Sequence, residues 1–451
     1  MEWPKVINYQ EAEEYLLKIP KFTTKNDITV TKMFYEKLGK PGGQSKIIHI
    51  AGTNGKGSVC AYLRSMLEET GVSVGMFTSP HLVCIRERFC MGLEMISEAE
   101  FLECFQKVMK SVQVMSLEQE KLTGYSYHPT FFEMLFFMGM IWYEKKKPDY
   151  IILETGLGGR LDTTNVIEHP VCTILTEIGM DHMEYLGDTI EKIAGEKAGI
   201  IKPNVPVVFA DKRAEVTGVI LSQAKKMESP VFPVSKETAH KCSAGNKNID
   251  FSYHSRYYDY IRFTLSTKAL YQVENAALAL RTMEVVAQQY PVSPDILQKG
   301  LLKARWEGRM EEILPDVFLD GAHNEDGIQA FLDTVEMDGC QGKRILMFSV
   351  VADKDYERMV GQLTDKPLFD RFILTTIRNN RAIGAEQLQK TFAIHEGKEN
   401  CFFVEDSRQA LEQLILQKEK QDKAYIVGSL YLVGQIKAYI QERSCDRNKA
   451  V

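Results

Sequence analysis

No part of this sequence stays apolar for long enough to cross a bilayer. The most apolar stretch, FFEMLFFMGMIWY (131–143), is interrupted by Glu133. It also falls short of the roughly 20 residues a spanning helix needs, and so reads as a buried helix. The start, MEWPKVINYQEAEEYLLKIP, carries acidic residues where a secretory leader would be apolar, so no signal peptide is expected. There is no strongly basic block and the net charge is -6, which argues against nucleic acid as the main partner. The nine cysteines show no C-x-x-C spacing, so neither a zinc framework nor a secreted disulfide scaffold is expected. A reducing cytosol is the simplest compartment, giving a cytoplasmic protein with no membrane partner. Internal repeats and low-complexity tracts are also missing.

What remains is a chain of 451 residues, 44% hydrophobic and 26% charged. That is a globular composition, long enough for two or three domains. KIIHIAG, VSVGMFTS, DYIILETG, VCTILTEIG and VPVVFA read as strands separated by helical patterns such as GSVCAYLRSMLEETG, which Gly71 should stop. Strands apolar on both faces and alternating with helices predict an α/β fold with a covered parallel sheet. A polar stretch near 211–262 has hairpin-like pieces, and QVENAALALRTMEVVAQQY (272–290) reads as a helix. Around KARWEGRMEEI the pattern restarts. DVFLDGAHN, RILMFSVVADKD, RFILTTIRNN and AYIVGSLYLVG are four more strand-then-loop units. The expected boundary lies near residues 300–308, dividing the chain into 1–303 and a smaller α/β domain, 304–451.

HIAGTNGKGSV (49–59) resembles a G-x-x-x-x-G-K-[ST] phosphate loop with one glycine too many. It lies between a predicted strand and a predicted helix. There, backbone N–H groups and the helix dipole would face an anion, Lys56 would neutralise phosphate and Ser58 would hold Mg²⁺. Magnesium takes hard oxygen ligands, and Glu154 stands at a strand end with GLGGR behind it. His182, after another strand, is a second candidate ligand, although a lone histidine is more often structural. Asp188 or Thr189 should cap the next helix and Gly199 should close it. On that helix Lys197 shares an apolar face with Ile190, Ile193 and Ala194. A buried ammonium loses its proton readily, and the neutral amine can react with CO₂ to give an anionic carbamate. Spacing alone favours a plainer reading, a lysine that reaches out to solvent or pairs with Glu196 or another acid.

Taken in order, AGTNGKGS, TSPHL (78–82), LETGLGGRLDTTN (153–165), DHMEYLG (181–187), EKAGIIK (196–202), DGAHN (320–324) and GSLYLVG (428–434) resemble the folylpolyglutamate synthase/dihydrofolate synthase family of the Mur ligase superfamily. In that family the extra glycine of the phosphate loop is the normal form. The resemblance implies a P-loop ATPase domain with a parallel sheet, binding ATP and folate, and a smaller Rossmann-like glutamate ligase domain. It implies an ATP- and Mg²⁺-dependent amide ligase, monomeric, with L-glutamate as the amino donor and a reduced folate or dihydropteroate as acceptor.

By matched position, Ser58, Glu154 and His182 would ligate Mg²⁺, with a monovalent cation as a further expectation. Asn54, Gly55, Lys56, Gly57, Ser58, Val59, Asn275, Arg309 and Asp320 would bind ATP. Lys56, Lys197 (as its carbamate) and His323 would be catalytic. Thr130, Phe131, Phe132, Glu133, Leu161 and Asp162 would meet the folate. Two departures stand out. The chain has WEGR (306–309) where the family usually has WPGR, so a stiffening proline is absent, and NDITVTKMFYEKLGKP replaces the usual folate-loop wording. Extension of reduced folates is the leading reading. Dihydrofolate synthesis, alone or as a second activity, is the alternative. A P-loop ATPase that makes no amide is disfavoured by GLGGRLD, DGAHN and the second domain.

Overall fold

The computed structural model describes residues 5–19, 26–123, 126–245, 247–287, 292–379, 381–395 and 400–449. Three sheets organise them. The first contains β1 (Lys46–Ala51), β2 (Val74–Phe77), β3 (Phe89–Met91), β4 (Glu94–Met95), β5 (Tyr150–Glu154), β6 (Cys172–Leu175), β7 (Val207–Ala210) and β8 (Val231–Val234). Their order is β4-β3-β2-β5-β1-β6-β7-β8. From β2 to β8 every pairing is parallel. Every residue of β5, β6 and β7 is buried, as expected where helices cover both faces. The short β3–β4 hairpin adds an antiparallel edge that the sequence reading did not contain. At the opposite edge β8 carries Pro233, tolerable where no further strand needs its missing N–H.

The polar stretch after residue 211 supplies β8 and then a small antiparallel sheet of β9 (Ala239–Ala244), β10 (Ile249–His254) and β11 (Tyr260–Leu265). The third sheet holds β12 (Arg309–Leu314), β13 (Val317–Asp320), β14 (Arg344–Phe348), β15 (Arg371–Leu374), β16 (Cys401–Phe403) and β17 (Lys423–Val427), ordered β12-β13-β17-β14-β15-β16. All but the β12–β13 pair are parallel. The four strand-loop units read from the sequence are β13, β14, β15 and β17. The two edge strands β12 and β16 were missed: β12 (RMEEIL) is half-buried and has no continuous apolar run, and β16 (CFF) is only three residues long.

The phosphate-loop helix runs Lys56–Glu69, and Gly71 follows in a left-handed conformation. The apolar stretch is the helix Phe131–Lys146, buried from Phe131 to Tyr143 save Phe132. Each fully buried Phe there contributes roughly 2–3 kcal/mol, so the helix is core. No helix among the described residues is long and apolar enough to cross a membrane. Thr189 caps the helix Ile190–Ala198 and Gly199 follows it, as the sequence indicated. The helix predicted at 272–290 is observed as Gln272–Val286; residues 288–290 lie outside the described set.

In an α/β sheet the loops at the carboxyl ends of the strands form the working face. Here the loops after β1, β2 and β6 meet those after β13, β14 and β17. Asn54 and Asn324 exchange side-chain hydrogen bonds. Gly434 lies against the Leu82 backbone, with no room for a Cβ between them. Where the proline is absent, Glu307 pairs with Lys437 at 2.9 Å, and Lys437 also meets Glu311 at 2.6 Å. Glu307 is largely exposed, so this tie contributes at most about 1 kcal/mol.

Candidate active site

The phosphate loop leaves β1 and opens its helix as the sequence predicted. Gly55 precedes Lys56 with φ 88, and a Cβ there would overlap Asn275 Oδ1. The extra glycine has a local cause. A Cβ on Gly57 would run into the indole ring of Trp306, so the glycine lets the linker tryptophan lie on the first turn of the helix. Lys56 Nζ donates to the carbonyls of Gly52 and Thr53, both at 3.0 Å. Ser58 is buried, and its Oγ accepts from Gln272 Nε2 at 3.1 Å. Asn275 Nδ2 donates to Gln272 Oε1 at 3.0 Å, so the two helices share one polar seam. The Val59 N–H is already bonded to Gly55 O.

Glu154 ends β5 and is 2% exposed. Its Oε2 accepts from the Ser79 N–H at 2.9 Å. Burial raises its pKa, against the opposing pull of Lys56, Arg309 and Arg88. His182 sits in the left-handed region, φ 52, a conformation that costs a non-glycine residue about 1 kcal/mol or more. Burial lowers its pKa to about 4, so the ring is neutral at neutral pH and has a lone pair to give a metal. Beside it, Asp181 receives the Lys354 ammonium in a short ion pair, with Nε2 of His182 and of His323 each at 3.9 Å. Burial alone would raise the Asp181 pKa, but the Lys354 ammonium foremost holds it below the usual carboxylate range. Asn324 Nδ2 reaches the same carboxylate at 3.3 Å.

His323 is also neutral. Burial and Lys354 push its pKa down to about 3, and Nδ1 donates to Gly321 O at 2.7 Å. The cation in this cluster is Lys354, and its ammonium is matched by Asp181; it is a residue that sequence reasoning missed. Its only signal was an ADKD loop after a predicted strand.

Lys197 is 4% exposed and its Nζ donates to Gly52 O at 2.8 Å. It neither reaches solvent nor pairs with Glu196, which binds Arg160 instead. The spacing-only preference was wrong. The side chain turns inward to the end of β1, while loop 156–162 packs on the helix backbone at Glu196 and Lys197. Burial, then the nearby Lys56, lowers the Lys197 pKa to about 7.

Asp320 is buried at the end of β13. It accepts from Tyr271 OH at 2.5 Å and from the N–H groups of Met310 and Ala322 at 3.0 and 2.8 Å. Arg309 is its register partner across β12–β13. With Asn54, Gly55, Ser58 and Asn275, these two residues line one cleft. Tyr271 lines it too and carried no sequence signal. The expected phosphate-side and nucleotide-side residues thus come together.

The folate candidates divide into two kinds. Glu133 is held internally: Thr31 Oγ1 at 2.6 Å, Asn26 Nδ2 at 2.8 Å and the Thr130 N–H at 2.7 Å all bind its carboxylate. Thr130 caps the helix in return. Asp162 is likewise spent on Gly156, Leu157 and Thr164. Phe131 is buried with the Arg88 guanidinium over its ring, 5.6 Å from the centroid. Phe132 lies against Gly156, and Leu161 is 46% exposed.

Among the described residues there is no cluster of three or more His, Cys, Asp or Glu side chains able to hold a metal. Magnesium bound partly through a triphosphate needs only one or two protein oxygens. The Ser58 hydroxyl, the buried Glu154 carboxylate beside Lys56, and neutral His182 fit that demand.

A glycine-rich strand–helix loop faces the loops of a second α/β sheet across this cleft, and the family matches make the chain a Mur-type ligase. Residues 50–283 match the Mur ligase middle domain and residues 308–430 the Mur ligase glutamate ligase domain. The dihydrofolate synthase/folylpolyglutamate synthase of Bacillus subtilis (strain 168) is 34% identical over 95% of this chain and 98% of its own length. The crystal structure of folylpolyglutamate synthase from Thermotoga maritima superposes with a TM-score of 0.80 at 30% identity, covering 96% of each chain. The Mycobacterium tuberculosis folylpolyglutamate synthase complexed with ADP gives 0.85 at 26% identity, over 96% of this chain and 98% of that one. The chain belongs to the folylpolyglutamate synthase/dihydrofolate synthase family of ATP-dependent ligases.

Proposed function

We propose that this chain joins L-glutamate to the γ-carboxylate of a reduced folate through an acyl phosphate. A carboxylate is too poor an electrophile to accept an amine directly. In the first step its oxygen attacks the γ-phosphorus of ATP, the bond to the β–γ bridging oxygen breaks, and ADP leaves. The glutamate amine then attacks the acyl carbon, the C–N bond forms, inorganic phosphate leaves, and the nitrogen loses its proton. Electrostatic stabilisation of the moving phosphoryl is the main demand on the site.

Lys56 and the loop amides hold the phosphates, and the Lys354–Asp181 pair ties the loop after β14 to the loop after β6 beside them. His323, being neutral, orients groups by hydrogen bonding. Arg309, Asp320 and Asn275 hold the nucleoside end. Mg²⁺, held by Ser58, Glu154 and His182, would draw charge from the phosphate oxygens when bound. The neutral fraction of Lys197 would add to CO₂, forming an N–C bond and losing a proton, to give a carbamate beside His182. Phe132 and Leu161 offer apolar surface to the pterin, while Glu133 and Asp162 hold the backbone around it. Residues 1–303 and 304–451 act as two domains that close over ATP and exclude water from the acyl phosphate.

The observation that carries this reading is the Asn54–Asn324 pair, which joins the phosphate loop to DGAHN across the cleft. The test is ADP release with tetrahydrofolate, with dihydropteroate, and with neither, each with and without L-glutamate. Release that needs both glutamate and tetrahydrofolate is expected. Release that is indifferent to both would sink the proposal. The dihydropteroate arm decides the second activity, which the name of the Bacillus subtilis relative supports.

A further inference from the structure

His49 lies in the middle of β1, three residues before Gly52, and is 0% exposed. A buried imidazole in a strand core is costly unless its polar atoms are employed. Only one employment is visible: Nε2 lies 2.8 Å from Thr164 Oγ1, and Nδ1 has no hydrogen-bond partner among the described residues. The Thr164 hydroxyl donates to Asp162 Oδ1 at 2.6 Å. Having spent its proton there, it can only accept from His49. The imidazole is therefore a neutral Nε2–H donor. Burial, with Lys202 nearby, lowers its pKa to about 3.

Beyond Thr164 the chain of bonds continues. Asp162 Oδ2 accepts from the N–H groups of Gly156 and Leu157 at 3.0 and 2.9 Å. That fixes the turn directly after Glu154. The same loop lies on the helix of Lys197. Arg160 N–H donates to Glu196 O at 2.6 Å, and a Cβ on Gly159 would strike the carbonyls of Glu196 and Lys197. Lys197 Nζ then returns to Gly52 O, at the end of the strand that carries His49. The bonds form a ring: β1, Lys197 and its helix, loop 156–164, Thr164, and β1 again.

We infer that His49 is a positioning residue, whose Nε2–H fixes loop 156–164 and through it the placement of Glu154 and Lys197. What the ring uses is a donor at that distance, not a titrating imidazole. Glutamine, which places an amide N–H at similar reach, replaces it. Leucine fills the volume but lacks the donor. It leaves one acceptor lone pair of Thr164 unmet while also removing the orphaned Nδ1, so it leaves the fold standing.

This inference rests on the ligase reading, so one arm of its test does not use activity. Amide hydrogen exchange at residues 156–164 should quicken at least tenfold in His49→Leu and stay near wild type in His49→Gln. In turnover, His49→Leu should lose at least tenfold in kcat with KM for ATP within about twofold, and His49→Gln should recover to within about threefold. Thr164→Val, which cuts the ring at its other bond, should copy His49→Leu. The inference is overturned if His49→Leu and Thr164→Val keep wild-type exchange in the loop. It is equally overturned if His49→Gln is as impaired as His49→Leu while both melt like wild type. Quickened exchange in a chain that releases no ADP under any condition would leave the ring intact and overturn the ligase reading instead.

Discussion

Replacing Lys197 with methionine should abolish turnover and at the same time make the protein more stable near neutral pH. The fold lowers the Lys197 pKa from 10.5 to about 7, through burial first and Lys56 second. The unfolded chain binds a proton in that window and the folded one does not, so stability rises with pH between about 7 and 10.5. At about 1.4 kcal/mol per pH unit, holding the amine neutral at pH 7.5 costs the native state roughly 4 kcal/mol. Methionine has similar volume and no such cost, but it forfeits the bond to Gly52 O, which contributes about 1–2 kcal/mol. Lys197→Met should therefore be roughly 2 kcal/mol more stable at pH 7.5. The advantage should shrink by about 1.4 kcal/mol per pH unit and vanish near pH 9. Urea unfolding followed by tryptophan fluorescence, in CO₂-depleted buffer with EDTA, measures it. A variant less stable than wild type at pH 7.5, or a difference that does not change up to pH 9, would refute the reasoning.

Two further outcomes are expected. Glu154→Ala should lose at least about a hundredfold in kcat while keeping a cooperative unfolding transition, the fold surviving the lost Ser79 bond; wild-type turnover at ordinary Mg²⁺ would remove Glu154 from the site. Gly57→Ala should weaken ATP use at least about tenfold by displacing the Trp306 ring, and Trp306→Ala should restore part of the loss in the double variant; a double variant no better than Gly57→Ala would show that the glycine serves the phosphate instead.

The sequence made legible what is periodic or punctuated. β1, β5, β6 and β7 are buried on both faces, so their apolar runs announced a parallel sheet. Gly71, Thr189 and Gly199 ended or capped helices by their own backbone and side-chain chemistry. Edge elements were less visible. β16 and the β3–β4 hairpin are too short for a period to develop, and Pro233 in β8 reads as a breaker until the strand is known to lie at the sheet edge. Glu154 and Ser58 could be placed because each sits a fixed distance from a strand end.

Lys197 shows why other parts of the site could not be read locally. Helical spacing established that its face is apolar, yet a surface lysine on an apolar stripe is normal, because the stem packs and the charge escapes. What decides its direction is distant in sequence: its ammonium meets the Gly52 carbonyl after β1, and loop 156–162, held by Thr164 and His49, packs on its helix backbone. Lys354 is similar. Its ammonium finds Asp181 only because β14 and β6 direct their loops into one cleft. Each of these charges has its chemistry set by residues distant in sequence. A local pattern can nominate such a residue, but its protonation state belongs to the assembled fold. For the same reason a conservative exchange at His49, chosen by donor geometry, should preserve more function than one chosen by charge.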